Sequence, residues 1–356
     1  MAIELDNLHY DYREIDGYNK PFNFVVSPRE PGKTSMMWLK KIYLPFKRDR
    51  KPWIYLVRQS VEISSALIDS IADTIINKFT DDNVQFYYKT SSFKDGICDV
   101  FIKEGESNVL FFRIVSLNIQ LRRIKLAVLK DIKGVFMDEY IIDPRKNEKY
   151  IPQEANIIKE AYTTWRREAD GVLKFYFVGN PYSLFNPLFV DWGVDTNKCE
   201  KDSFYVGDTF VIHFAVLKPA LREKLLRDNP LYKFDEEYTQ YAIYGTPIND
   251  MNIRIGDMPK NFYLQFIFRH DGKTIGVYRN REWSEDTKFF ARFTKEFGKN
   301  RDVFCFDFKD LIEHTIVMSL DERLRLAKFK EAFRKRYIVF EDINCYYFLE
   351  EIYKNI

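Results

Sequence analysis

The sequence predicts an α/β protein with an N-terminal domain on a mainly parallel sheet, a small linker region and a C-terminal α+β domain. Three observations predict it. From Pro21 to about Gly179, short apolar runs alternate with helical stretches, as in strands joined by crossover helices. Two of those runs, "GVFMDEY" (134–140) and "LKFYFVGN" (173–180), finish in polar residues, as buried central strands with functional C-terminal ends do. From Phe262 onward, strand-like runs come first and a helical stretch last. The boundaries drawn from these shifts are 1–198, 199–256 and 257–356.

"FNFVV" (22–26) reads as the first strand, "TSMMWLKKIYLPF" (34–46) as the helix after it and "WIYLV" (53–57) as the second strand. "VEISSALIDSIADTIINKF" (61–79) reads as an amphipathic helix, with Ile63, Leu67, Ile71, Ile75 and Phe79 at a four-residue spacing. "CDVFIK" (98–103) and "VLFFRIV" (109–115) flank a polar turn and predict a hairpin. "ALREKLLRDNPLYKFDEEYTQYAIYG" (220–245) makes the linker region partly helical. Four further strand-like runs, "FYLQFIFRH", "KTIGVYRN", "KFFARFT" and "DVFCFDF", precede the helical stretch 319–337. There Leu326, Phe329, Phe333 and Tyr337 form a core stripe with basic flanks.

A hydrophobic content of 46% over 356 residues supports real cores and excludes a disordered chain. The 55 basic and 53 acidic residues nearly cancel, so a nucleic-acid partner has to be met by a local patch. Cys98, Cys199, Cys305 and Cys345 are scattered, which argues against a zinc site or a disulfide framework and for a reducing interior. No run is long and apolar enough to span a membrane, and the expectation is a soluble, cytoplasmic protein.

The stretch that carries chemistry is "SPREPGKT" (27–34), between the first strand and its helix. A strand, a tight loop and a helix N-terminus make an anion trap, because unpaired backbone N–H groups and the helix dipole converge there. In the pattern G-x-x-x-x-G-K-[ST], Gly32, Lys33 and Thr34 are present, but Ser27 replaces the first glycine and Glu30 adds a carboxylate. Lys33 is expected to reach the β and γ phosphates of ATP, and Thr34 to place its hydroxyl on Mg2+. About a hundred residues on, Asp138 is placed to hold the same ion and Glu139 to activate the attacking water, with Asn180 beside the same crevice. Each feature alone has a plain reading as a turn or a strand end; their order within one α/β domain predicts nucleotide hydrolysis. Basic residues in "QLRRIK" (Arg122, Arg123, Lys125) and "TTWRRE" (Arg166, Arg167) are candidates for completing the charge clamp, or else solvated helix faces.

On these residues the chain resembles the φ29-type DNA packaging ATPases of small tailed phages, relatives of the large terminase motors. The resemblance runs over nearly the whole length: the strand before SPREPGKT, VFMDEY followed by a polar loop, then W-R-R, then a strand ending in Gly-Asn. It implies an ASCE P-loop ATPase with Arg29, Gly32, Lys33, Thr34 and Ser35 in Walker A, Asp138 in Walker B and Glu139 as the catalytic glutamate. It implies Arg166 as an arginine acting on the neighbouring subunit, with Arg167 the alternative, and Lys125 as a second such residue. It also implies a ring of five subunits at the portal of a procapsid in the host cytoplasm, threading double-stranded DNA, with a structural RNA as a further partner. Arg145, Lys146 and Lys149 of "DPRKNEKY" are the expected DNA phosphate grips, against the reading of an ordinary charged loop. The C-terminal domain resembles the RNase H-like nuclease of terminases, with Asp307 its one strand carboxylate, so a vestigial nuclease that binds without cutting is expected. The rival readings are a P-loop helicase and a capsid-associated protein that no longer hydrolyses nucleotide.

Overall fold

The computed structural model describes residues 8–143, 149–169, 171–183, 186–195, 198–246, 253–280, 289–295, 302–312, 315–319, 326–334 and 337–355. The chain forms two compact units, residues 1–192 with 199–248, and residues 193–198 with 249–356.

The first unit is built on a nine-stranded sheet. In chain order its strands are β1 (Phe22–Val26), β2 (Trp53–Val57), β3 (Phe86–Tyr88), β4 (Ile97–Glu104), β5 (Ser107–Ser116), β6 (Gly134–Met137), β7 (Phe175–Gly179), β8 (Ser203–Val206) and β9 (Phe210–Phe214). Their order across the sheet is β3-β4-β5-β2-β6-β7-β1-β9-β8. The six strands from β5 to β9 run parallel, and β3-β4 and β8 add antiparallel margins. β1, β2, β6 and β7 are buried at every position, which is why they read as continuous apolar runs. Gly134 pairs with Trp53, and a Cβ there would lie 2.5 Å from the indole, so the glycine makes room for the ring.

The hairpin read at 98–115 is present as β4 and β5, which pair along their length. The helix read at 61–79 begins with a short turn and runs from Ser65 to Phe79; Ile63 and Ile71 are buried, with Leu67, Ile75 and Phe79 packed against the core. Residues 199–256, read as a partly helical linker, contain the helices Pro219–Asp228, Leu231–Phe234 and Glu236–Ala242. They also supply β8 and β9 to the main sheet, where β9 pairs with β1. Alternation in "FVIHF" is hidden because both faces of β9 are buried.

The second unit carries a seven-stranded sheet. Its strands are β10 (Arg254–Ile255), β11 (Phe262–His270), β12 (Lys273–Asn280), β13 (Phe289–Phe293), β14 (Asp302–Cys305), β15 (Thr315–Val317) and β16 (Ile338–Phe340). β11, β12 and β13 form an antiparallel meander, and β14 and β15 extend β11 in parallel. Strands first and a helix after them agree with the α+β domain expected from the sequence. Leu326 and Phe329 are in its core and Phe333 and Tyr337 pack against it, so the stripe read in the sequence is structural. Among the described residues no helix is long and apolar enough to cross a membrane.

Candidate active site

From Val26 the chain turns through residues 27–32 into a helix that begins at Lys33 and continues without a break to Asp49. Ser27, which stands where the pattern has its first glycine, does not adopt a left-handed conformation; the left-handed residues are Glu30 (φ 75°) and Gly32 (φ 69°). Ser27 instead lies in line with the strand, its N–H donating to the Gly179 carbonyl at 3.2 Å. The strain therefore falls on Glu30, at about 1–2 kcal/mol for a residue with a Cβ. Glu30 is exposed, so its carboxylate can face solvent. Gly32 is required twice, since a Cβ would also lie 2.7 Å from the His9 ring. An N-terminal segment braces the loop from outside: Tyr10 N–H donates to the Pro31 carbonyl at 2.9 Å and the Tyr12 hydroxyl to the Lys33 carbonyl at 2.9 Å.

Lys33 is buried, and its ammonium donates to the carbonyls of Ser27 (3.3 Å) and Pro28 (3.1 Å) and to Asn180 Oδ1 (2.9 Å). Burial lowers its pKa to about 8, against the pull of the Asp138 and Glu139 carboxylates. Asp138 follows β6, one strand beyond β7 from the loop. Burial pushes its carboxyl up to about 6; the Thr34 hydroxyl, which donates to it, opposes this, and the Glu139 charge adds to it. A hydroxyl and a carboxylate joined in this way are hard oxygen donors of the kind that Mg2+ takes. Ser35 stands in the same helical turn, half-buried.

Glu139 is exposed and left-handed (φ 49°). The backbone around it is held by Arg58, whose guanidinium reaches the Glu139 carbonyl at 3.5 Å and donates to the Tyr140 carbonyl at 2.8 Å. Arg58 forms a two-pronged pair with buried Glu154 (2.9 and 3.0 Å) and lies over the Tyr150 ring at 5.1 Å. Tyr150 also accepts the Ile142 N–H at 3.3 Å, closing the neck of the loop proposed for DNA. Lys149 is exposed at that neck, whereas Arg145 and Lys146 lie outside the described residues.

The remaining basic candidates lie elsewhere on the unit. The Glu154–Trp165 helix starts at the Arg58 pair and climbs about 18 Å over its twelve residues. At its far end the Trp165 indole donates to the Ile124 carbonyl at 3.1 Å, and Lys125 pairs with Glu160 at 2.6 Å. This gathers Lys125 and Arg166 on one end of the unit, with exposed Arg122, Arg123 and Arg167 in the adjoining sequence. Ala169 pairs with Ile132, at the opposite end of β6 from Asp138, six extended residues or about 20 Å away. Lys33, Thr34, Asp138, Glu139 and Asn180 thus form one crevice, and Arg166 and Lys125 stand outside it.

A family model described as podovirus DNA encapsidation protein (Gp16) matches residues 5–356. The chain belongs to that family. Two solved structures are similar over nearly their whole length. One is titled the bacteriophage Phi-29 viral genome packaging motor assembly, at 19% identity, TM-score 0.71, and 98% and 99% coverage of this chain and that one. The other is titled the Phi-28 gp11 DNA packaging motor, at 15% identity, TM-score 0.62, and 98% coverage of each. These likenesses extend the fold to the full chain. Among curated proteins there is no match.

In this encapsidation protein Asp307, expected within a strand, instead follows β14 and caps the short turn Phe308–Asp310 through a bond from Lys309 N–H. Among the described residues, Asp271 and Asp310 gather with His270, their ligand atoms all within 4.8 Å of one another. Asp310 accepts the N–H groups of Asp271 (2.9 Å) and Gly272 (2.8 Å), and Lys309 lies 2.5 Å from Asp271. The group is therefore largely engaged in holding its own turn. Sequence reasoning missed it, and missed Arg58 and Glu154, because partners far apart in the chain leave no spacing to read.

Proposed function

We propose that the chain is an ATP-driven translocase that moves double-stranded DNA into a preformed procapsid as a homomeric ring, hydrolysing ATP at the seams between subunits. The observation that carries this reading is the separation of the clamp: one end of the unit holds the phosphate loop and both acids, while the basic pair is at the other. An arginine there cannot reach its own subunit's γ-phosphate, but in a head-to-tail ring it faces a neighbour's. Family membership and the likeness to two phage packaging motors support the same reading.

In this scheme Lys33 and the first-turn N–H groups hold the phosphates, and Asn180, already bonded to the lysine, is placed to register the γ-phosphate. Thr34 and Asp138 would hold Mg2+, which would supply neutralisation of phosphate charge. Glu139 takes the proton of the attacking water. Arg166 and Lys125 serve the adjacent site. Five subunits at the portal, a structural RNA partner, a host-cytoplasmic location and DNA grips at Arg145, Lys146 and Lys149 complete the proposal. The C-terminal unit binds without cutting, since its gathered carboxylates already hold a turn and a lysine. Lys33→Ala tests the whole: we expect no ATP hydrolysis and no protection of DNA from nuclease inside procapsids. Packaging at wild-type yield by that variant would refute the motor reading.

A further inference from the structure

The phosphate loop lacks its first glycine and places Glu30 in a conformation that glycine adopts freely. Something outside the loop has to hold it there. The Arg29 guanidinium receives two tyrosine hydroxyls as acceptors: Nη2 donates to Tyr182 Oη at 2.9 Å and Nε to Tyr241 Oη at 3.2 Å. The two tyrosine rings stack with centroids 5.1 Å apart, and Arg29 also lies over the Tyr241 ring at 5.7 Å. The backbone joins in, since Arg29 N–H donates to the Ala242 carbonyl at 3.1 Å. Next to it, a Cβ on left-handed Gly245 would lie 3.1 Å from the Pro28 ring, so the glycine lets the chain close on the loop. Residues 28 and 29 are thus fastened from outside the loop, by the segment after β7 and by the Glu236–Ala242 helix with the turn that follows it.

We propose that Tyr182 and Tyr241 are positioning residues that hold Arg29 and so keep a glycine-poor phosphate loop in its binding shape. The inference rests on the loop being the ATP site. Neither tyrosine need touch the nucleotide. Each acts through Arg29, and the pair does from outside what glycine does from within the backbone.

The test uses the full chain and calorimetric titration with MgATP. Replacing both tyrosines with phenylalanine keeps the stacked rings and removes the two hydroxyls. Loss of hydrogen bonds to a charged group predicts MgATP affinity weaker by about tenfold, with the thermal midpoint of the protein retained. Adding Glu30→Gly removes the strain the latch opposes, and should bring affinity back toward wild type. A merely structural role for the tyrosines would lower affinity and thermal midpoint together, and glycine would not rescue it. Affinity unchanged in the double variant, or no recovery with Glu30→Gly, overturns the latch. A wild-type chain that fails to bind MgATP overturns the ATP reading, and the latch with it.

Discussion

Two charges in the crevice titrate near neutrality, and in opposite senses. Asp138 is raised to about 6 by burial and in the proposed role would hold Mg2+ only as the carboxylate, so MgATP affinity should fall as pH drops through 6. Lys33 is lowered to about 8 and in the proposed role would bind phosphate only as the ammonium, so affinity should also fall as pH rises past 8. Bound phosphate raises the lysine and bound Mg2+ lowers the carboxyl, which widens the plateau but leaves both signs unchanged. Binding isotherms for MgATP across pH 5 to 9 should give a bell; a flat profile would contradict both assignments, a steady rise that of Lys33 and a steady fall that of Asp138. Glu139→Gln separates binding from chemistry. Affinity should stay within severalfold of wild type while turnover drops about 10²–10⁴-fold, the usual worth of a positioned base. The triplet Gly32-Lys33-Thr34 and the pair Asp138-Glu139 were legible in the sequence because loop chemistry is written in neighbouring residues. Which of the loop's departures bears a left-handed backbone was not legible: the pattern departs at Ser27, and the backbone puts the positive φ at Glu30.

At the scale of elements, the tip of β2 is tied to the start of the Glu154–Trp165 helix by a buried ion pair, with side chains 9% and 0% exposed. Removing one partner leaves the other charged and dry. Glu154→Gln should therefore destabilise the first unit by about 3–5 kcal/mol, read as a shift in the urea midpoint of its unfolding transition. It should also slow ATP turnover more than it weakens MgATP binding, because Arg58 loses its hold on the carbonyls of Glu139 and Tyr140. Equal loss of binding and turnover would show that the pair serves stability alone. The strands of this unit were legible because central parallel strands are apolar at every position. β9 was not, since its partner β1 lies nearly two hundred residues earlier and only the fold brings them together, and β8 joins the sheet through β9.

For the whole molecule, the arrangement of the basic pair makes a quantitative prediction about mixtures. Lys33→Ala damages a subunit's own crevice, whereas Arg166→Ala damages only the crevice it would complete on a neighbour. Neither variant alone should hydrolyse ATP at a useful rate, since an absent trans arginine costs about 10³–10⁵-fold. In a ring assembled from equal amounts of both, a seam is intact when an Arg166→Ala subunit supplies the loop and a Lys33→Ala subunit supplies the arginine. Random mixing makes about a quarter of seams intact in that sense, so ATP turnover should return toward that fraction. Repeating the mixture with Arg167→Ala or Lys125→Ala in place of Arg166→Ala identifies which basic group crosses the seam. If every site were complete within one subunit, no mixture would regain turnover, because Lys33→Ala and Arg166→Ala would each leave its own crevice broken whatever sat beside it.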